Sequence, residues 1–199
     1  MKDKIQTIIG SIMLIGLIFG IAYSLYNRNF KDPELIVVKQ TSVEAPIKNA
    51  LFWYETELEK ISFGITPQLS AEGSDFTKKL YDTLKASGTV SDQIETMSKK
   101  ATQKMIELDA YRGTEPNVWK IAQEKGYSHI VMVTIVDARW KRNKLENATY
   151  QISIYATGDK ALIWEGKIER LAGFFGGMPE SDASIAAIKK ALKEAKIIE

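Results

Sequence analysis

Apolar positions along this chain gather first in residues 5–26, a stretch rich in Ile, Leu, Met, Phe and Gly with no charged side chain. About 20 such residues span the hydrocarbon of a bilayer as a helix, and a backbone in lipid must satisfy its own hydrogen bonds. The pattern predicts one transmembrane helix after a short tail, residues 1–4. Tyr23 and Tyr26 stand at its far end, where amphipathic rings favour the headgroup layer, and Asn27, Arg28, Asn29 and Lys31 return the chain to water. Gly16, Gly20 and Ser24 fall on one helix face, where small residues let a second membrane helix approach closely.

A cleaved secretory signal competes with this reading. Lys2 and Lys4 give a basic start, and Ala22-Tyr23-Ser24 places small residues where a signal peptidase cuts. The apolar run exceeds the roughly 7 to 15 residues of a signal core, which favours an uncleaved signal anchor. Lys2 and Lys4 on one side nearly balance Arg28 and Lys31 on the other, so charge bias barely sets the orientation. The expected arrangement leaves the tail in the cytoplasm and carries residues 27–199 outside it, periplasmic or extracellular. The reverse topology stays open, with the domain in the cytoplasm and its basic run on the inner leaflet.

Beyond the anchor, residues 27–49 read as a stalk leading into the domain through a strand at Leu35-Ile36-Val37-Val38, and residues 50–199 as one α+β domain. Leu51-Phe52-Trp53-Tyr54 suits a buried strand, and residues 63–67 a loop. Phe76, Leu80 and Leu84 form one helical stripe, ended by Gly88 in a left-handed cap. Asp92 with Glu95 resembles a capping box, and Ile94, Met97, Ala101, Met105 and Leu108 continue it as a helix to Gly113. Pro116 fits the first turn of a helix with Val118, Ile121 and Ala122 inside and Gly126 at its stop. Residues 130–136 are almost wholly apolar and β-branched, as a strand covered on both faces or lying at the sheet centre requires.

Two half-exposed strands follow. Tyr150, Ile152 and Ile154 alternate with Gln151 and Ser153, and Leu162, Trp164 and Ile168 alternate with Glu165, Lys167 and Glu169. Gly158-Asp159-Lys160 turns between them, while residues 139–147 read as a longer polar connection. A last helix, capped by Ser181 or Asp182, turns Ile185, Ile188, Leu192 and Ala195 inward. The sum is a transmembrane helix followed by a two-layer sandwich, with a mixed, mainly antiparallel sheet and its helices on one face.

Residues 124–133 (Glu-Lys-Gly-Tyr-Ser-His-Ile-Val-Met-Val), the Ala156-Thr157-Gly158-Asp159-Lys160 turn and the Leu162-Ile163-Trp164-Glu165-Gly166 strand resemble small bacterial envelope domains. The type is that of curli-secretion, TolB amino-terminal and penicillin-binding-protein-activator domains. The resemblance covers about residues 116–196. It implies a non-catalytic module that docks other envelope components, and it transfers no catalytic residue. The chain departs from it in lacking a cysteine to carry lipid, in Thr134 where glycine is common, and in the long helix expected from residue 92.

Composition narrows the chemistry. Lys plus Arg number 27 against 25 Asp plus Glu, so a net charge of +2 gives no electrostatic case for nucleic acid. With no cysteine and one histidine, thiolate metal sites, disulfides and most acid–base sets are excluded. His129 has no Asp or Ser partner at a recognisable spacing; Glu55, Glu57 and Glu59 read as a solvated strand edge; Asp137 is the one acidic position at a strand end where a site would be plausible. No catalytic residue, metal or cofactor is expected.

The contact candidates are the basic run Arg139-Trp140-Lys141-Arg142-Asn143-Lys144, suited to anionic headgroups, cell-wall polymers or an acidic protein, and the Phe174-Phe175 loop. The expected partners are membrane lipid through the first helix and envelope proteins of unknown identity, with self-association open. The expected function is a membrane-anchored, non-catalytic interaction or assembly subunit of a cell-envelope complex. The alternative is an exported small enzyme or ligand-binding protein released after cleavage near Ser24.

Overall fold

The computed structural model describes residues 12–23, 26, 33–56, 66–97, 116–141, 144–172 and 181–199. Residues 12–23 form helix α1. The expected span at 5–26 runs past it into residues 5–11 and 24–25, which lie outside the described residues. Among the described residues no helix is long and apolar enough to cross a membrane.

Six strands build one mixed sheet: β1 (Leu35–Gln40), β2 (Ala50–Thr56), β3 (Val90–Met97), β4 (His129–Lys141), β5 (Lys144–Ala156) and β6 (Leu162–Leu171). Their order across the sheet is β1-β6-β5-β4-β2-β3. β4, β5, β6 and β1 pair antiparallel, whereas β2 runs parallel to both β4 and β3. Parallel neighbours need a crossover, and helix α2 (Thr66–Ala86) supplies it between β2 and β3. Helix α3 (Val118–Glu124) precedes β4 and helix α4 (Asp182–Glu194) closes the chain.

Alternation along the central strands feeds two cores. Phe52, Tyr54, Val131, Val133, Ile152, Ile154, Trp164 and Ile168 pack with Phe76, Leu80 and Leu84 of α2 and with Ile185, Ile188 and Leu192 of α4. Leu51 and Ile130 take the other parity and pack with Val118 and Ala122 of α3. The expectation of helices on one face is therefore corrected: β2 and β4 are apolar on both faces, and α3 covers the second. Gly166 lies beneath the indole of Trp164, where a Cβ would come within 2.5 Å of the ring, so only glycine fits the close approach.

Several local expectations also change. Val90–Met97 is a strand, not a helix start: it is an edge whose Ser91, Asp92, Gln93 and Glu95 face water. The continuation of that expected helix from residue 98 lies outside the described residues. Thr66 and Pro67 open α2 instead of ending a loop. Pro116 precedes Asn117, whose side chain caps α3 by accepting from the Lys120 amide at 3.1 Å. Ser181 occupies the cap position of α4 but makes no side-chain cap bond. The described residues of the connection expected at 139–147 are strand, paired out to Lys141 opposite Lys144.

Candidate functional site

The β4–β5 hairpin carries the basic run at one end of the sheet. Its backbone is held by Asn147, a 3% exposed side chain that accepts from the Arg139 amide at 3.1 Å and donates to Glu169. Arg139 is exposed, with Nε 3.6 Å from the Asp137 carboxylate, so part of its charge is already balanced. Arg139, Glu146, Asn147, Glu169, Leu171 and Ala172 line a depression of about 160 Å³. Trp140 and Lys141 belong to β4 and Lys144 to β5; Arg142, Phe174 and Phe175 fall outside the described residues.

Register places this hairpin relative to the start of β1. Leu35 pairs with Ile168, Ile168 with Tyr150, and Tyr150 with Ile135. β1 therefore begins at the sheet end toward which β4 and β5 extend. Lys141 lies six residues beyond Ile135, about 20 Å at the rise of a strand. The basic hairpin and the point where the chain arrives from α1 share one end of the domain.

In α1 the side chains have no cover. Met13 and Phe19 are each 71% exposed, and Ile12, Leu14, Ile15, Leu17, Ile18 and Ile21 are exposed as well. A Cβ on Gly16 or Gly20 would meet nothing within 4 Å, so that face has room for another helix; Ser24 lies outside the described residues.

Acid–base candidates do not converge. His129 is half-buried, and burial holds its pKa below the ordinary value. Its Nδ1 lies 2.8 Å from Ser128 Oγ, which donates to the Lys48 carbonyl. Asp137 meets Arg139, Glu55 sits in β2, and Glu57 and Glu59 lie outside the described residues. Among the described residues no group of three or more His, Cys, Asp or Glu is placed to hold a metal. A groove of about 330 Å³ runs between α2 and β3, lined by Phe52, Tyr54, Tyr81, Lys78, Asp82 and Ile94 among others.

Arg170 is the residue that sequence reading missed. It is 1% exposed, lies 5.3 Å over the Phe76 ring and donates from Nη1 to Ser181 Oγ at 2.8 Å. Ser181 in turn donates to Asp75 at 2.6 Å, which ties β6 to the start of α4 and to α2. Parity was the available signal, because residue 170 shares the inward register of Trp164 and Ile168.

One hydrogen bond gives the fold a pH signature. Tyr127 donates to Asp92, tying the α3–β4 connection to β3. That bond, then burial and the Asp92 charge, push the Tyr127 pKa up to about 12 from 10.0, while the same bond, with Lys125 nearby, holds Asp92 below its usual 3.8. An unfolded tyrosine ionises near pH 10 while the folded one keeps its proton, so this contribution is complete below pH 10 and is lost as pH rises to about 12. The Asp92 part is lost in acid, as pH falls below 3.8 through its depressed folded value. Tyr127→Phe should flatten the alkaline limb, read as denaturant midpoint against pH from 8 to about 12.

No family model and no curated sequence matches the chain. Solved structures similar to it include the PelC dodecamer from Paraburkholderia phytofirmans, at 11% identity over 80% of this chain and 95% of that one, with a TM-score of 0.48. The LpoB C-terminal domain from Salmonella enterica aligns at 12% identity over 63% and 84%, with a TM-score of 0.35. Lipoprotein GNA1162 from Neisseria meningitidis aligns at 10% over 73% and 98%, with a TM-score of 0.37. At such identities and TM-scores no activity or partner transfers to this chain.

Proposed function

We propose that the chain is a membrane-anchored, non-catalytic interaction subunit of a cell envelope, tethered by residues 5–26 with its α+β domain outside the cytoplasm. The observation that carries this reading is α1. Its apolar side chains are exposed on every face, and neither core of the domain covers them. A helix apolar all round is stable in lipid or inside a larger core, not in water. Membrane lipid is therefore the first partner. The open face at Gly16 and Gly20 leaves room for a second helix, and the basic hairpin is the contact for an anionic surface.

Full-length protein expressed in bacterial membranes tests the tether. Detergent should extract it while alkaline carbonate and high salt should not, and its intact mass should include residues 1–26. A soluble product starting near Ser24 would instead support release after signal cleavage. Protease added outside intact cells should remove the domain; protection of residues 27–199 would reverse the topology.

A further inference from the structure

The two edges of the sheet are built differently. β3 presents Ser91, Asp92, Gln93 and Glu95 to water, and charges on an edge discourage adventitious pairing. β1 presents three consecutive branched apolar residues: Ile36 is 59% exposed, Val37 41% and Val38 53%. Lys39 follows them, exposed, and Val38 forms a bulge against β6 that bends the strand. The exposed Leu171 lies at the same end of the sheet, on the neighbouring strand.

From this placement we infer that the β1 edge is a membrane-apposed surface, its occupant the headgroup layer of the bilayer that holds α1. The inference rests on the anchored reading. The stalk between Tyr26 and Leu35 is residues 27–34, whose reach is at most about 30 Å. That tether holds β1 at high effective concentration beside the bilayer, so a contact too weak to bind free protein is populated. Branched apolar side chains shed water in the interfacial zone, and Lys39 with the hairpin cations meets anionic headgroups. The strand register puts the hairpin at the end of the sheet where β1 begins, the end that the tether reaches.

The natural chain has no cysteine, so single-site labelling is unambiguous. Ile36→Cys and Gly158→Cys, at the turn on the opposite end of the sheet, each receive an environment-sensitive dye. The full chain is then reconstituted into vesicles containing anionic lipid and a headgroup nitroxide. The expected result is several-fold stronger quenching and a blue shift at Ile36→Cys alone. Equal quenching at the two sites, in chain that still floats with the vesicles, would overturn the inference and leave the tether intact. Ready disulfide formation by unlabelled Ile36→Cys would overturn it in favour of a second copy on this edge. Chain that fails to float would remove the tether, and the inference with it.

Discussion

Phe76→Ala should lower the stability of the domain by about 3 to 5 kcal/mol, among the largest effects of any single truncation in the main core. Phe76 is fully buried on α2, its ring centroid 4.1 Å from that of Tyr150 on β5. Truncation opens a cavity between helix and sheet and removes that aromatic pair. It also strips the apolar face from Arg170, whose guanidinium lies 5.3 Å over the ring. A buried guanidinium tolerates such a loss poorly, since the Ser181 hydroxyl chain to Asp75 must then hold it beside an open cavity. For a protein of this size the change corresponds to a fall in melting temperature of roughly 10 °C. Thermal melts followed by circular dichroism read it. Phe76→Leu, which keeps most of the volume, should cost less than half as much; equal melting of the alanine variant and the parent would mean that α2 does not pack on β5 through this ring.

The parts of the fold legible in the sequence are those where a local pattern and the tertiary environment agree. Residues 130–136 are almost wholly apolar because β4 lies between two helical layers, one of the two settings that such a run requires. Gly88 and Gly126 end their helices at φ of +72°, as glycine permits. β3 was illegible for the opposite reason. Its Asp92 and Glu95 have the spacing of a helix cap, yet they are exposed positions on the two faces of an edge strand, held by non-local pairing with β2. The hairpin was hidden because residues that project past the sheet need no apolar alternation. Asn147, the side chain that fixes its register, reads in sequence as an ordinary polar loop residue. Arg170 was hidden by its own charge, which outweighed in sequence a parity that already pointed inward.

Neutralising the hairpin, with Arg139, Lys141, Arg142 and Lys144 all changed to Gln, should weaken its hold on an anionic surface by on the order of a hundredfold. A basic residue beside an anionic bilayer contributes about 1 kcal/mol, so the four together reach about 4 kcal/mol at most. The total is smaller because Arg139 already pairs with Asp137, and because Glu146 and Glu169 line the depression next to it. In vesicles the measurement is the quenching of a dye at Ile36→Cys as anionic lipid is titrated into zwitterionic lipid. The parent should respond steeply at low salt and lose the response as ionic strength approaches 1 M, where the screening length shrinks to about 3 Å. The neutralised chain should show a flat titration and an unchanged melting temperature, since substitutions on a projecting hairpin leave both cores intact. The apolar edge at Ile36, Val37 and Val38 would then account for whatever salt-insensitive contact remains, which separates its contribution from that of the cations. A neutralised chain that titrates like its parent would confine the bilayer contact to that edge and return the basic run to solvent.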